Sequence, residues 1–352
     1  MITDKSFTKE WINSLKMQNT KAYINPPLLE KMTYALSLAE LLQLNGLDFI
    51  FKGGTCLILL LDTPQRFSID IDIITQANRV QIETILTKIC LETHFTAFEL
   101  DDKRSYREGI PKAHYKLYFE PQLAHPKDNK ILLDILFAEN PYPQIQETPI
   151  TTNWLNTVEP LTKVQLPTIE SITGDKLTAF APRTIGIRYG QNPPKSTEII
   201  KQMFDLGQLF DKITDFEIVI EAFLKNAEKE LSYRTDLIGK TFIDALDDTL
   251  ETCFDVVKEN HAELQTGIKT FGSWTVFPFR REQALETAGK VAYMVAKIKK
   301  NDTTPLLHFS PQTMLLKDFF IQNPDYNFLN KKVKFANHAL FYWFHVVKIL
   351  ET

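Results

Sequence analysis

The segment Ile69-Asp70-Ile71-Asp72-Ile73-Ile74 constrains the fold most strongly, because isoleucine and aspartate alternate along it. Alternation with a period of two is typical of a β-strand that has one apolar and one polar face. Asp70 and Asp72 would then project from the same face, about 6–7 Å apart. Two carboxylates at that spacing can bridge a pair of divalent cations. An Asp-x-Asp sequence also occurs by chance in exposed strands and turns, so the neighbouring residues must decide between these interpretations.

A glycine pair precedes this segment in Phe51-Lys52-Gly53-Gly54-Thr55, at the predicted junction of a strand and a helix. Glycines there let the backbone approach a phosphate, and a helix N-terminus adds N–H groups and a positive dipole. Arg66 and Ser68 then place a basic group and a hydroxyl just ahead of Asp70. A third acid, Asp134, lies within an apolar strand, where a carboxylate is costly unless it is paired or metal-bound. A buried, hydrogen-bonded aspartate is the alternative.

Apolar periodicity predicts an α+β protein, with a small mixed sheet and helices at the N-terminus and a mainly α-helical C-terminal domain. We place the boundary at residues 165 and 166, which gives domains 1–165 and 166–352. The first domain is predicted to contain a helix over residues 27–45, a strand over 47–51, a helix over 55–61, a strand over 69–74, a helix over 77–93 and strands over 113–119 and 130–137. The second is predicted to contain helices over 168–181, 197–212, 216–230, 237–264, 281–299 and 333–350.

Composition narrows the classes of protein that fit. The net charge is -4, so nucleic acid would have to bind through a local basic patch. The three cysteines are far apart and show no CxxC spacing, which argues against a zinc site and a disulfide framework. The polar N-terminus and the short apolar runs predict a soluble cytoplasmic protein without membrane association. The seven histidines form no HxxxH or HD pair, and we assign them no chemistry.

Together, the glycine pair, the Asp-x-Asp strand and the later aspartate resemble the polymerase-β-type nucleotidyltransferase superfamily. More narrowly, residues 51–55 and 66–72 resemble the AbiE-type (AbiEii/AbiGii) toxin nucleotidyltransferases of bacterial toxin–antitoxin and phage-defence systems. That family also has a helical lysine, matched in Gly174–Phe180, and an Arg/Lys-x-x-x-Asp-Leu helix motif, matched in Lys201–Leu206. Gln202 departs from the acidic residue usual at its position. The resemblance covers residues 30–210.

The resemblance implies transfer of a nucleotide from an NTP to a hydroxyl, with release of pyrophosphate. Asp70 and Asp72 would hold two Mg²⁺ ions, with Mn²⁺ as an alternative. Asp134 would hold the ion nearer the attacking hydroxyl and take its proton. The nucleotide would be bound by residues that neutralise the charge of the triphosphate or surround its oxygens, and by an acid that orients one of the lysines. These residues are Lys52, Gly53, Gly54, Thr55, Arg66, Ser68, Lys176 and Asp205.

The acceptor implied is RNA, with a tRNA 3′ end as the expected substrate. Residues 161–201 contain six basic and three acidic residues, a local charge of +3, with Tyr189 among them. Arg183, Arg188 and Lys201 are the predicted acceptor contacts, although a solvated loop would explain the charge equally well. Residues 241–265 contain seven acids and one lysine, which is unfavourable within a helix and would suit a basic partner such as a cognate antitoxin.

Two other functions remain open. The acceptor could be a small molecule or a protein, with the helical C-terminal half shaping its pocket. The chain could instead be a degenerate scaffold that binds a nucleotide or a partner without catalysis. The aspartate trio argues against the scaffold, and the basic stretch favours RNA over the other acceptors.

Overall fold

A seven-stranded mixed sheet organises the first of two units in the computed structural model, which describes residues 1–18, 21–105, 111–336 and 338–352. This unit comprises Met1–Asn140, Ile145–Thr168 and Trp274–Phe277. The strands are ordered β3-β4-β5-β2-β1-β7-β6. Their bounds are Ile50–Lys52 (β1), Ile71–Thr75 (β2), Phe95–Leu100 (β3), Lys112–Phe119 (β4), Lys130–Phe137 (β5), Ile145–Pro149 (β6) and Lys163–Pro167 (β7).

The helices of this unit are Lys9–Gln18 (α1), Pro26–Leu44 (α2), Leu57–Leu60 (α3), Arg79–Glu92 (α4) and Asp102–Ser105 (α5). Helix α2 begins where the side chain of Asn25 accepts a hydrogen bond from the Leu28 N–H, and prolines occupy its first two positions. Its buried residues lie on all faces, so it belongs to the core. The mixed sheet with helices confirms the fold predicted for the N-terminal half.

The central strands follow the predicted alternation. Every second residue is buried from Ala113 to Phe119 on β4 and from Ile131 to Ile135 on β5, while His114 and Asp134 lie on the half-buried face. Three strands were not predicted: β3, β6 and β7. Strands β3 and β6 lie at the two edges of the sheet and have exposed residues, so their apolar alternation is weak.

The second unit is helical and comprises Pro141–Gln144, Ile169–Ser273 and Pro278–Thr352. Its helices are Ile169–Ala179 (α6), Ser196–Phe210 (α7), Phe216–Ser232 (α8), Phe242–Lys258 (α9), Ala262–Phe271 (α10), Arg281–Lys299 (α11), Phe328–Lys332 (α12) and Ala339–Leu350 (α13). The helical character predicted for the C-terminal half is confirmed, whereas the functional division at residue 165 stays a prediction.

Two predicted helices differ from those observed. The helix predicted over residues 237–264 is two helices, because Glu259 adopts a left-handed conformation (φ 59°) that ends α9. The helix predicted over residues 333–350 begins only at Ala339, and residue 337 lies outside the described residues. Among the residues that the structure describes, no helix is long and apolar enough to cross a membrane.

Candidate active site

Four polar side chains form a row across the central strands of the sheet. Lys52 on β1 pairs with Asp72 on β2, and Asp72 pairs in parallel register with Asp134 on β5. Asp134 in turn lies opposite His114 on β4. Residues in register on neighbouring strands project from the same face, and such strands lie about 4.8 Å apart. The sheet therefore brings a lysine, two aspartates and a histidine together on one half-buried face.

Asp70 lies at the entrance to this row. Strand β2 begins at Ile71, so the prediction that Asp70 shares the strand with Asp72 is wrong by one residue. The carbonyl oxygen of Asp70 instead accepts a hydrogen bond from the Thr55 hydroxyl. This hydrogen bond connects the segment before β2 to the turn that follows β1. The position of Asp70 is therefore determined by its contact with the turn and not by the alternation of side chains along a strand.

Both glycines of the turn after β1 are needed because other side chains occupy the space of a Cβ. Gly53 has φ +78°, and a Cβ on it would lie 2.7 Å from Cγ of Asp72 and nearer still to its Oδ2. A Cβ on Gly54 would lie 3.0 Å from Oγ of Ser68 and closer to the Arg66 guanidinium. The backbone of the turn thus lies directly against Asp72, Arg66 and Ser68.

Thr55 and Ser68 join the turn to the Asp70 segment. Oγ1 of Thr55, which is fully buried, lies 2.8 Å from Oγ of Ser68, so the Thr55 side chain serves the structure of the turn. Helix α3, which follows, has only four residues, which weakens the predicted contribution of a helix dipole to phosphate binding. The half-buried backbone of the glycine turn, rather than a long helix, is what this site offers to an anion.

Arg66 is held by a segment that is distant in sequence. Its Nη1 donates to the Phe67 carbonyl oxygen at 2.9 Å, and Arg66 forms an antiparallel bridge with Thr275. The Phe67 N–H donates to the carbonyl oxygen of Trp274 at 2.8 Å. Residues 274–277 therefore return to the sheet unit and fix the conformation of the chain just ahead of the aspartates.

Asp134 contacts a histidine for which the sequence predicted no chemistry. Nδ1 of His114 lies 2.5 Å from Oδ1 of Asp134. The Asp134 side chain is 24% exposed, so it is not the deeply buried aspartate that the apolar sequence around it suggested. The alternation of apolar residues around His114 indicates that its side chain lies on the face opposite the buried one. Its pairing with Asp134 depends on the order of the strands in the sheet, which sequence spacing does not give.

Lys176 and Asp205 form a buried ion pair in the helical unit. Nζ of Lys176 on α6 lies 2.7 Å from Oδ2 of Asp205 on α7, with side-chain exposures of 5% and 2%. Lys176 is therefore not a solvated helix lysine. It also donates to Oε1 of Gln202 at 3.2 Å, so the residue that departs from the family pattern still orients the lysine.

The predicted acceptor residues have acidic neighbours within the same unit. The Arg183 guanidinium contacts Asp255 and lies 3.4 Å from Asp248 and 3.7 Å from Glu251. Arg188 pairs with Asp236. Three carboxylates around Arg183 would oppose a phosphate, so this arrangement does not support the role predicted for Arg183. Lys201 lies half-buried on α7.

The acidic run at residues 241–265 is largely neutralised within its own unit. Besides the ion pairs of Arg183, Asp244 lies 2.8 Å from Lys240, Asp247 contacts Lys299, and Glu259 lies 2.6 Å from Arg281. These ion pairs explain how a helix carries so many acids. The charge of this run is therefore weaker support for a basic partner, and a cognate antitoxin stays a prediction.

Within the described ranges, no group of three or more His, Cys, Asp or Glu side chains is arranged to hold a metal ion. The donor set still suits Mg²⁺, which typically binds through one or two carboxylates and completes its octahedron with water and substrate phosphates. Asp72 and Asp134 provide two in-register carboxylates, and the Asp72 carboxylate lies against the backbone of the glycine turn. The residues present therefore fit a magnesium ion that is shared with a bound triphosphate.

A family model described as nucleotidyl transferase AbiEii toxin, type IV TA system, matches residues 38–269. The chain belongs to the AbiEii nucleotidyltransferase toxin family. The match spans well over half of the chain and includes the glycine turn, the three aspartates and the Lys176–Asp205 pair. This AbiEii protein is thus a nucleotidyltransferase, and its residues 270–352 lie beyond the matched region. No curated protein sequence matches the chain.

Solved structures that are similar to the chain at low sequence identity include two from different organisms. JHP933 from Helicobacter pylori is 15% identical with a TM-score of 0.43, covering 84% of this chain and 95% of its own. An antigenic nucleotidyltransferase-like protein from Paracoccidioides brasiliensis is 16% identical with a TM-score of 0.36, covering 67% of this chain and 92% of its own. The family assignment rests on the family model and not on these likenesses.

Proposed function

We propose that this AbiEii protein transfers a nucleoside monophosphate from an NTP to a hydroxyl at the 3′ end of an RNA, with Mg²⁺ bound at the aspartates. A tRNA is the expected acceptor, and the reaction would make the protein the toxin of a toxin–antitoxin system. The observation that carries this proposal is the in-register pairing of Asp72 with Asp134 beside the glycine turn. This arrangement supports the proposal, because two carboxylates of the kind that suits Mg²⁺ lie next to a glycine backbone of the kind that suits phosphate.

Asp72 and Asp134 would hold the ion, with Asp70 contributing from the entrance to β2. Bound Mg²⁺ supplies Lewis-acid stabilisation of phosphoryl charge and favours ionisation of the acceptor hydroxyl. The hydroxyl oxygen bonds to the α-phosphorus as the bond to the bridging oxygen breaks and pyrophosphate leaves. A carboxylate oxygen of Asp134 receives the hydroxyl proton. Mn²⁺ accepts the same oxygen ligands.

The triphosphate would be bound by the turn and its basic neighbours. The N–H groups at Gly53 and Gly54 would donate to phosphate oxygens, since a glycine has no side chain of its own to keep them apart. Lys52 and Arg66 supply positive charge, and the Ser68 hydroxyl adds a donor. Lys176, which Asp205 and Gln202 hold in one orientation, stays the nucleotide-binding lysine that the family resemblance predicts.

An RNA acceptor is supported by a part of the chain outside the family match. Residues 326–350 contain four lysines and no aspartate or glutamate. Phe335 is 72% exposed, and Nζ of Lys334 lies 4.5 Å from its ring centroid. Exposed aromatic rings beside lysines suit unpaired bases and the phosphates that join them. We therefore assign the RNA contact to Lys331, Lys334 and Phe335, ahead of Arg183.

The decisive experiment incubates the protein with each α-³²P-labelled NTP, Mg²⁺ and total RNA, and resolves the products on a gel. We expect label in RNA, none after chelation, and none with the Asp72→Asn variant. Periodate oxidation of the RNA destroys the 3′-terminal diol, so labelling should disappear if the 3′ end is the acceptor. Label in a protein band or a small molecule would instead identify the alternative acceptor classes. No label in any fraction would favour a non-catalytic scaffold.

A second experiment tests the RNA surface. The double variant Lys331→Glu/Lys334→Glu should weaken RNA binding. The slope of log binding constant against log salt concentration should become shallower by roughly 0.7–0.9 for each phosphate that is no longer neutralised. The matched control is Lys225→Glu/Lys269→Glu, which makes the same charge change at two other exposed lysines of the helical unit. Equal effects of the two double variants would show that net charge, and not this surface, governs binding.

A further inference from the structure

The His114–Asp134 contact is the strongest feature of the site that the proposed chemistry does not use. The two residues are paired across the antiparallel strands β4 and β5, and Nδ1 of His114 lies 2.5 Å from Oδ1 of Asp134. An ionised carboxylate can only accept a hydrogen bond, so Nδ1 is the donor. The bond is direct and joins two side chains on the half-buried face.

His114 is itself held firmly from the backbone. Its N–H donates to Oγ of Ser105 at 2.9 Å, and its carbonyl oxygen accepts from the Asp101 N–H at 2.7 Å. Ser105 closes helix α5 and is buried. The imidazole therefore projects from a strand position that is fixed by the ladder on one side and by α5 on the other.

A hydrogen bond to one oxygen of a carboxylate determines where the other oxygen lies. An aspartate on a strand can rotate about its terminal torsion, which is broad and roughly two-fold. A bond from a fixed donor to Oδ1 selects one orientation and thereby fixes the direction of Oδ2. Carboxylates that bind metals are commonly oriented by such partners, and removal of the partner typically costs 10–100-fold in metal affinity or activity.

We infer that His114 is a positioning residue that orients the metal-binding carboxylate of Asp134 through Nδ1. This role rests on the proposed function, because it has meaning only if Asp134 binds the ion. His114 itself touches neither the ion nor the substrate in this role. Its second nitrogen, Nε2, is buried and makes no hydrogen bond within the described residues. Among those residues, the imidazole therefore makes its hydrogen bond through Nδ1, to Asp134.

Two amide substitutions separate this role from simple filling of space. In His114→Asn the amide nitrogen can occupy the position of Nδ1 and keep the bond to Asp134. In His114→Gln the longer side chain carries its amide near the position of Nε2 and does not make that bond. Both variants are polar, so a general effect of removing an imidazole should be the same in both.

The readout is Mn²⁺ binding to the full-length protein, measured by electron paramagnetic resonance of the free ion. His114→Asn should stay within about threefold of wild type, whereas His114→Gln should weaken binding by roughly 10–100-fold. Far-UV circular dichroism and thermal melts verify that each variant is folded. His114→Phe, which keeps the ring and removes the donor, should behave like His114→Gln and provides the comparison if His114→Gln is unstable.

Asp72→Asn is the control variant, and it distinguishes failure of this inference from failure of the proposed function. If Asp72→Asn loses Mn²⁺ while His114→Gln and His114→Asn both bind as wild type, the positioning role is overturned and the metal site stands. The same holds if both histidine variants lose binding equally. If wild type binds no Mn²⁺, or Asp72→Asn binds it unchanged, the metal site itself is wrong and the role of His114 falls with it.

Discussion

Asp72 on β2 lies directly opposite Asp134 on β5, its parallel neighbour in the sheet. The two residues are 62 positions apart in the sequence, and only the strand order brings them together. Because neighbouring strands lie about 4.8 Å apart, both carboxylates can reach one ion. The first prediction follows from this pairing.

Asp72→Asn should abolish nucleotide transfer and leave the fold intact, since an amide keeps the size of the side chain and removes the charge. Removal of a metal ligand takes away several kcal/mol of transition-state stabilisation. Transfer of label from α-³²P-NTP measures the rate, and a thermal melt serves as the fold control. Asp70→Asn should have the same effect. Turnover near that of wild type in either variant would contradict the mechanism.

Gly53→Ala should eliminate transfer because the added methyl group would displace the Asp72 carboxylate. Gly46 provides a matched control, since it has the same φ of +78° and no atom within 4 Å of an added Cβ. Both substitutions carry the left-handed backbone cost of roughly 1–2 kcal/mol. We expect Gly53→Ala to lower the thermal stability at least as much as Gly46→Ala, because only Gly53→Ala adds the clash with Asp72, and we expect loss of transfer only in Gly53→Ala. Equal transfer rates would show that the close approach to Asp72 is irrelevant.

Lys176→Ala should destabilise the helical unit as well as impair NTP use. The effect on stability follows from the buried pairing of Lys176 with Asp205. Removal of one partner of a buried ion pair typically costs about 3–5 kcal/mol, because the other charge is left uncompensated. Chemical denaturation measures the free energy of unfolding.

The double variant Lys176→Met/Asp205→Leu tests this account of Lys176. It removes both charges, so it should recover much of the stability that Lys176→Ala loses. Use of NTP should stay impaired, because the cation is still missing. A double variant as unstable as the single one would show that packing rather than charge explains the destabilisation.

The free energy of unfolding should fall as the pH decreases from about 6.5 to about 4. Burial lowers the pKa of His94 to about 4, and the smaller effect of Asp4 acts in the opposite direction. The unfolded state therefore binds a proton that the folded state excludes within that window, and stability is lost as the pH falls through it. The shift corresponds to about 3 kcal/mol.

His94→Phe should make the stability of the protein less dependent on pH in the same window. The His94 ring lies among aromatic residues, with Phe7 at 4.3 Å and Tyr34 at 5.1 Å between ring centroids. A phenylalanine can fill this space without a titrating group, although it cannot hydrogen-bond to Oγ of Ser37 as His94 does. Urea denaturation at several pH values measures the slope. An unchanged slope would assign the pH dependence to other groups.

The local sequence determined the parts of this protein that depend on residue periodicity. Alternating apolar residues predicted β4 and β5 over nearly their observed ranges, and the glycine pair and Asp-x-Asp motif identified the turn and the family. Periodicity failed where the environment decides the structure. The edge strands β3 and β6 have weak alternation, and α9 ends where Glu259 turns left-handed.

Tertiary structure alone decided which polar residues meet. Sequence spacing does not encode strand order, so it could not pair Asp72 with Asp134 or His114 with Asp134. It also could not show that Asp205 and Gln202 surround Lys176, or that three acids surround Arg183. Charges and hydrogen bonds act over a few ångströms, and chain folding brings residues from distant positions within that range.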